Sequence, residues 1–207
     1  MTEKQIELPT AKVDFSDAQR LADLWGIIQY FRTIMQACSR LERLVDENSE
    51  DNILIESLWT AALIRYARCF ATGKRFGLPR DVFQGQKGEP IKCHQFYMDL
   101  RDKHIAHSVN SFEQTEVGLV LSPVSSSEKK VVGVVRLSMR HFVPDKTGIH
   151  QLGSLSKVAH DKTCSLAKEI ENKVLEEGRK IPIQELYRIA RSQLVAPGPD
   201  SVNKPRT

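Results

Sequence analysis

Residues 96–108 read Phe-Tyr-Met-Asp-Leu-Arg-Asp-Lys-His-Ile-Ala-His-Ser, and they gather the residue types best suited to chemistry into one short run. Arg101 stands six residues before His107, Asp102 follows the arginine directly, and His104 falls between them. A guanidinium keeps its charge at physiological pH and grips phosphate oxygens through a rigid fork of donors. An imidazole exchanges protons near neutrality. The two together form a minimal kit for cleaving a phosphodiester, one stabilising charge on the phosphorane and the other moving a proton.

On a continuous α-helix, six residues separate Arg101 from His107 by about 9 Å along the axis and about 120° around it. His104, three residues from each, fills the gap between them. A second copy of the helix across a two-fold axis would bring both motifs to one groove and close the remaining distance, so the spacing favours a composite site in a homodimer. The run Arg136-Leu-Ser-Met-Arg-His141 has a similar spacing. It lacks a polar residue after the arginine and is patterned like a strand, so it is set aside. The structural alternative for the first motif is that Arg101 caps a helix end, Asp102 pairs with a surface lysine and His107 is a hydrogen-bonded core residue.

The segment resembles the Arg-x4-6-His signature of the HEPN superfamily, in which the residue after the arginine is usually Asn, Asp or His; Asp102 satisfies this. The wording Leu-Arg-Asp-Lys-His-Ile-Ala-His is most similar to the abortive-infection group, as is the earlier run Leu58-Trp-Thr-Ala-Ala-Leu-Ile-Arg-Tyr-Ala-Arg-Cys-Phe70. The resemblance implies an all-α fold and a dimer with the motif at its groove. It further implies a metal-independent endoribonuclease of a defence or toxin–antitoxin system, leaving a 2′,3′-cyclic phosphate. RNA supplies its own nucleophile, the 2′-hydroxyl. His107 is therefore the expected general base or acid and Arg101 the charge stabiliser. Asp102 would orient Arg101 or a water, and His104 would serve as a second proton donor or phosphate contact. Tyr97, Asn110, Arg65 and Arg68 are candidate substrate contacts. An antitoxin or nucleotidyltransferase partner is typical of such proteins. The alternatives are a noncatalytic HEPN module that binds nucleotide, RNA or a protein, and an unrelated helical interaction protein.

No cofactor is expected. Cys93, His94, His104 and His107 share one region, but eleven residues of helix put Cys93 and His104 about 16 Å apart, too far for one metal shell. Gly-rich phosphate loops, Gly-x-Ser-x-Gly elbows and His-Glu-x-x-His motifs are missing from the sequence.

The 207 residues suit one domain with tails, with 41% hydrophobic and 27% charged residues, and the net charge of +4 permits a polyanionic partner. Residues 65–80 carry Arg65, Arg68, Lys74, Arg75 and Arg80 with no acid. That patterning fits an electropositive face or, more commonly, a solvated helix end. No apolar run approaches the roughly 20 residues of a bilayer span, and the N-terminus lacks a hydrophobic signal core. Cys38, Cys69, Cys93 and Cys164 are scattered through helical patterns, as expected of reduced thiols in a cytoplasmic protein.

These residues need a scaffold, and the periodicity predicts an antiparallel helical bundle with one inserted β-hairpin. Residues 1–13 are a frayed N-terminus, 14–194 the helical domain and 195–207 a disordered tail. Ser16 with Gln19 resembles a capping box opening a first helix. Its stripe is Leu21, Leu24, Trp25, Ile28, Phe31, Met35, Cys38, Leu41 and Val45, ending near Asn48. A second helix starts near Glu50 and stops at Gly73. Residues 76–90, rich in Gly and Pro, read as a flexible connection that could line a site or serve only as a linker. A third helix runs from Ile91 into the motif, with Cys93, Phe96, Tyr97 and Leu100 on one face. Alternation at Val117, Leu119, Leu121 and at Val132, Val134, Arg136 predicts the hairpin within about 115–142. A fourth helix spans 149–177 before Gly178, and Pro182 opens a short last helix.

Overall fold

Apolar residues at steps of three and four become five α-helices: α1 (Ser16–Asp46), α2 (Asn52–Phe70), α3 (Pro90–Leu100), α4 (Lys146–Arg179) and α5 (Ile183–Ile189). The computed structural model describes residues 8–71, 73, 75–106, 113–140, 144–190 and 198–201. They fall into two compact units, one within residues 23–166 and one of the described residues before 23 and after 166. Among the described residues no helix is long and apolar enough to cross a membrane.

In the larger unit α3 runs antiparallel to α2 and to α4, and α4 antiparallel to α1, as their contacts show. His94 of α3 meets Phe70 of α2, while Tyr97, one turn on, meets Trp59, more than two turns back along α2. Tyr97 and Cys93 of α3 reach Gly148 and Gln151 of α4. Lys146 and His150 of α4 pair with Asp46 and Glu42 of α1. Between these helices lies a core of Phe31, Ile34, Leu41, Trp59, Leu63, Tyr66, Phe70, Phe83, Tyr97, Ile149 and Leu152. The rings meet edge to face: Phe31 lies 6.5 Å from Tyr66 and Trp59 lies 6.1 Å from Tyr97.

The helix ends follow local chemistry. At the start of α1 the amides of Ala18 and Gln19 both donate to the Phe15 carbonyl, so the backbone meets the Gln19 amide that a Ser16 capping box would have used. The same helix stops where Asn48 enters the left-handed region (φ 50°) and the Ser49 amide reaches back to Leu44. Asp51 caps α2 by accepting the Leu54 amide at 3.0 Å. Asp145 does the same for α4, accepting the Gly148 amide at 2.6 Å, and this cap starts α4 three residues before the expected 149. Gly178 lies inside the last turn of α4 instead of beyond it, and the backbone closes through Lys180 to Glu177. Trp25, placed in the stripe of α1 by spacing, is 53% exposed. Leu24, Ile27 and Ile28 fill the inward face, and one residue from Leu24 is 100° of rotation away.

Residues 76–90 are not a loose linker. Leu78, Val82 and Phe83 are buried, residues Arg80–Phe83 form a 3₁₀ turn, and the Leu78 amide donates to the Cys69 carbonyl at 2.8 Å, closing the end of α2. Gly77 makes this crossing possible, because a Cβ there would overlap the carbonyl of Ala71. The hairpin forms as expected from β1 (Glu113–Leu121) and β2 (Val131–Arg140), antiparallel, with Val117 opposite Arg136, Leu119 opposite Val134 and a register irregularity at Val120/Leu121. Its apolar side chains point outward, with Val117 76% exposed and Leu119, Leu121 and Val134 similarly open.

In the smaller unit, Leu21, Ala167 and Ile170 are buried, whereas α5 buries none of its residues. Of the expected C-terminal tail, Pro199–Ser201 form a 3₁₀ turn and the other residues of 195–207, Gly198 apart, lie outside the described residues.

Candidate functional site

Arg101 terminates α3, and at this residue the winding changes: Arg101–Ala106 form a π-helical turn. The apolar spacing explains why. Leu100 and Ile105 are five residues apart and both pack against the core. In an α-helix five residues differ by about 140° and one of the pair would face water. The wider π winding, with its i→i+5 bonds, brings both to one side. The 9 Å and 120° relation of a continuous α-helix therefore does not carry through the motif. This is a correction to the sequence-based geometry.

With Leu100 and Ile105 turned inward, the charged residues of the turn face solvent. Arg101 Nη1 donates to Asp102 Oδ1 at 2.6 Å, the two side chains being 37% and 52% exposed. Lys103 Nζ lies 3.7 Å from Asp99 Oδ2. Asp102 thus pairs with its own neighbouring arginine, and Lys103 is engaged elsewhere. The contact joins one guanidinium nitrogen to one carboxylate oxygen between adjacent, part-exposed side chains. His104 contributes its backbone to the π turn, while its side chain, like His107 and Asn110 entirely, lies outside the described residues.

The other candidates do not gather at the turn. Tyr97 is completely buried, its hydroxyl donating to the Gly148 carbonyl at 2.7 Å, so it is a core residue and not a substrate contact. Its ionisation is pushed well above the usual tyrosine range, first by burial and then by its neighbour Cys93. Arg65 is half-buried and donates to the Ala61 carbonyl of its own helix at 3.2 Å, while Arg68 is exposed. Among the described residues no hydrogen bond or ion pair joins either arginine to Arg101 or Asp102.

His94 was read only as a doubtful metal ligand, yet it is the most distinctive polar group of the core. It is 1% exposed, its Nδ1 is 2.9 Å from the Tyr66 hydroxyl, and Phe70 and Phe83 lie against its ring. Burial, and then the positive charge of Arg80, lower its pKa from 6.5 to about 4. The imidazole is therefore neutral at pH 7, and which of Nδ1 and the Tyr66 hydroxyl donates is set by its tautomer. Cys38 and Cys69 are buried, burial pushing the Cys38 thiol up to about 12. Cys93 and Cys164 are partly accessible. Among the described residues no three His, Cys, Asp or Glu side chains cluster to hold a metal.

Sequence reading missed a groove of 730 Å³ between α3, the loop before it and the first half of α4. Phe96, 52% exposed, forms one wall because Tyr97 beside it takes the inward position. The signal was present in the sequence: two adjacent aromatic residues on an amphipathic helix cannot both face the core.

No family model, curated protein or solved structure matches the chain.

Proposed function

We propose that the chain is an endoribonuclease of HEPN type, acting in a defence or toxin system, with Arg101 and His107 as its working pair. The observation that supports this reading best is Arg101 itself. Its guanidinium is solvent-facing and carried on a π turn, a winding found disproportionately at functional sites. In the reaction the 2′-hydroxyl loses its proton to an imidazole and its oxygen bonds to phosphorus. The 5′-oxygen then leaves with a proton, giving a 2′,3′-cyclic phosphate. Arg101 stabilises the additional negative charge on the phosphoryl oxygens, while His107 acts as base or acid. His104 is the further candidate for proton donation. The site is completed by a second copy of the chain across a two-fold axis.

The test is cleavage of labelled RNA with excess chelator present. Wild-type protein is expected to cut. His107→Ala should lose at least about 10²-fold in rate, and Arg101→Ala about 10²–10³-fold, with the fold retained by circular dichroism. Binding without any cutting would remove the catalytic role. A noncatalytic RNA- or nucleotide-binding module is the second reading, and the Arg101–Asp102 pair favours it, because a guanidinium already neutralised by its neighbour is a poorer stabiliser of developing charge.

A further inference from the structure

We propose that the groove between α3 and α4 is a nucleotide subsite, taking one base against Phe96 and its phosphate on Lys87 and Lys92. The inference rests on the nucleic-acid reading above only where it concerns an RNA strand as the source of that nucleotide.

The groove's volume, 730 Å³, lies in the range of small-molecule sites. Its floor is apolar, built from Phe83, Leu155 and Val158, and the half-exposed ring of Phe96 stands at its side. A phenylalanine left this open beside a cavity is a stacking platform, and every nucleobase has a π-face to offer it. Polar groups are sparse and of a particular kind. Gln86, Gln151 and Ser154 present amides and a hydroxyl, which both donate and accept and so match the mixed edge of a base. The rim carries two lysines, Lys87 and Lys92, against one carboxylate, Glu89, which lies 3.2 Å from Lys92, while His150 on the α4 side pairs with Glu42. A flat heteroaromatic ring attached to an anion satisfies all three features. A fatty acyl chain would leave the glutamines unused, and an apolar helix would bury the lysines. Phe96 precedes Arg101 by five residues, about 7.5 Å along a helix and about 140° around it, so a strand seated on both would have to pass around α3.

Cys93 makes the proposal testable in place, because it lines this groove, is partly accessible and donates to Gln151 at 3.5 Å. Cys164, also partly accessible and outside the groove, is an internal control. Full-length protein is alkylated with iodoacetamide at pH 8.5 and each cysteine is followed by peptide mass mapping. The additions are adenosine monophosphate, inorganic phosphate, or a 2′-O-methyl hexanucleotide that cannot be cut. The expected result is that adenosine monophosphate or the hexanucleotide slows Cys93 at least fivefold and leaves Cys164 unchanged, while phosphate alone does not. Protection by the hexanucleotide alone assigns the subsite to an RNA strand, and protection by the mononucleotide alone to a free nucleotide. Phe96→Ala should weaken the protecting ligand about tenfold by calorimetry. Lys87→Ala with Lys92→Ala should weaken it further and lessen its salt dependence. Protection by phosphate as strong as by the nucleotide, or none by either nucleotide, overturns the subsite. This holds whether or not Arg101→Ala abolishes RNA cleavage, so failure here and failure of the ribonuclease reading are read separately.

Discussion

His94 shows how one buried imidazole links packing to solution behaviour. Unfolded, a histidine takes up its proton near pH 6.5, whereas in the fold burial and Arg80 delay protonation to about pH 4. Between those values the unfolded chain binds more protons than the folded one, so stability falls as the pH is lowered. The contribution is complete above about pH 6.5, declines by at most about 1.4 kcal/mol per pH unit, and stops declining below about pH 4. Urea unfolding at pH 7.5, 5.5 and 4.5 should show this slope. His94→Gln should be less stable at pH 7.5, since the Tyr66 hydroxyl and the aromatic contacts lose their partner, but flatter across the window. An unchanged slope in the variant would assign the pH dependence to other groups. Single residues were also where sequence reading went furthest astray. Tyr97 and Phe96 are adjacent and chemically alike, and only the rotation of α3 decides that the first is core and the second faces the groove. No composition or motif carries that angle.

Elements were more legible than residues, because burial of a stripe is a property of many positions at once. Helices α1, α2 and α4, the alternation of β1 and β2, and the proline before α5 each appear at the expected place, with ends shifted by a few residues. What could not be read was any feature set by two distant segments. The 76–90 connection looked loose by its glycines and proved packed, and Gly77 is the point where it passes over the end of α2. Gly77→Ala should cost about 1–3 kcal/mol in chemical denaturation, whereas Gly73→Ala, with open space around its Cβ position, should be near neutral. The π turn is the second such feature. It carries one residue more than an α-helix needs to bring Leu100 and Ile105 to the core. Deleting Lys103, which points outward, makes that pair i,i+4 and lets ordinary α winding satisfy it. The melting temperature should hold within a few degrees while RNA cleavage is lost, because the wider turn that carries Arg101 is gone and one residue fewer separates Arg101 from His107 in sequence. Retained cleavage in this deletion would show that the turn has no part in the site.

At the scale of the whole molecule, burial and function are unevenly distributed. The core of the larger unit draws on α1, α2, α3, α4 and the 3₁₀ turn, and among the described residues none of the β1–β2 ribbon belongs to it. Replacing residues 113–140 with a short Gly/Ser segment should therefore leave the cooperative unfolding of the helices in place, checked by far-ultraviolet circular dichroism on heating. A loss of more than about 10 °C would show that the ribbon supports the bundle. The ribbon itself has a different relation to its surroundings. Its valines and leucines face outward, and a two-stranded sheet keeps an open hydrogen-bonding edge on each strand. Such a surface is adhesive toward further strands, and the charges in the sequence of the ribbon, Glu113, Glu116, Arg136 and Arg140 with Glu128, Lys129 and Lys130 of the turn, oppose that stacking. The colloidal behaviour of the protein, its tolerance of high concentration and of low salt, is thereby governed by these two strands more than by the helices that fold it.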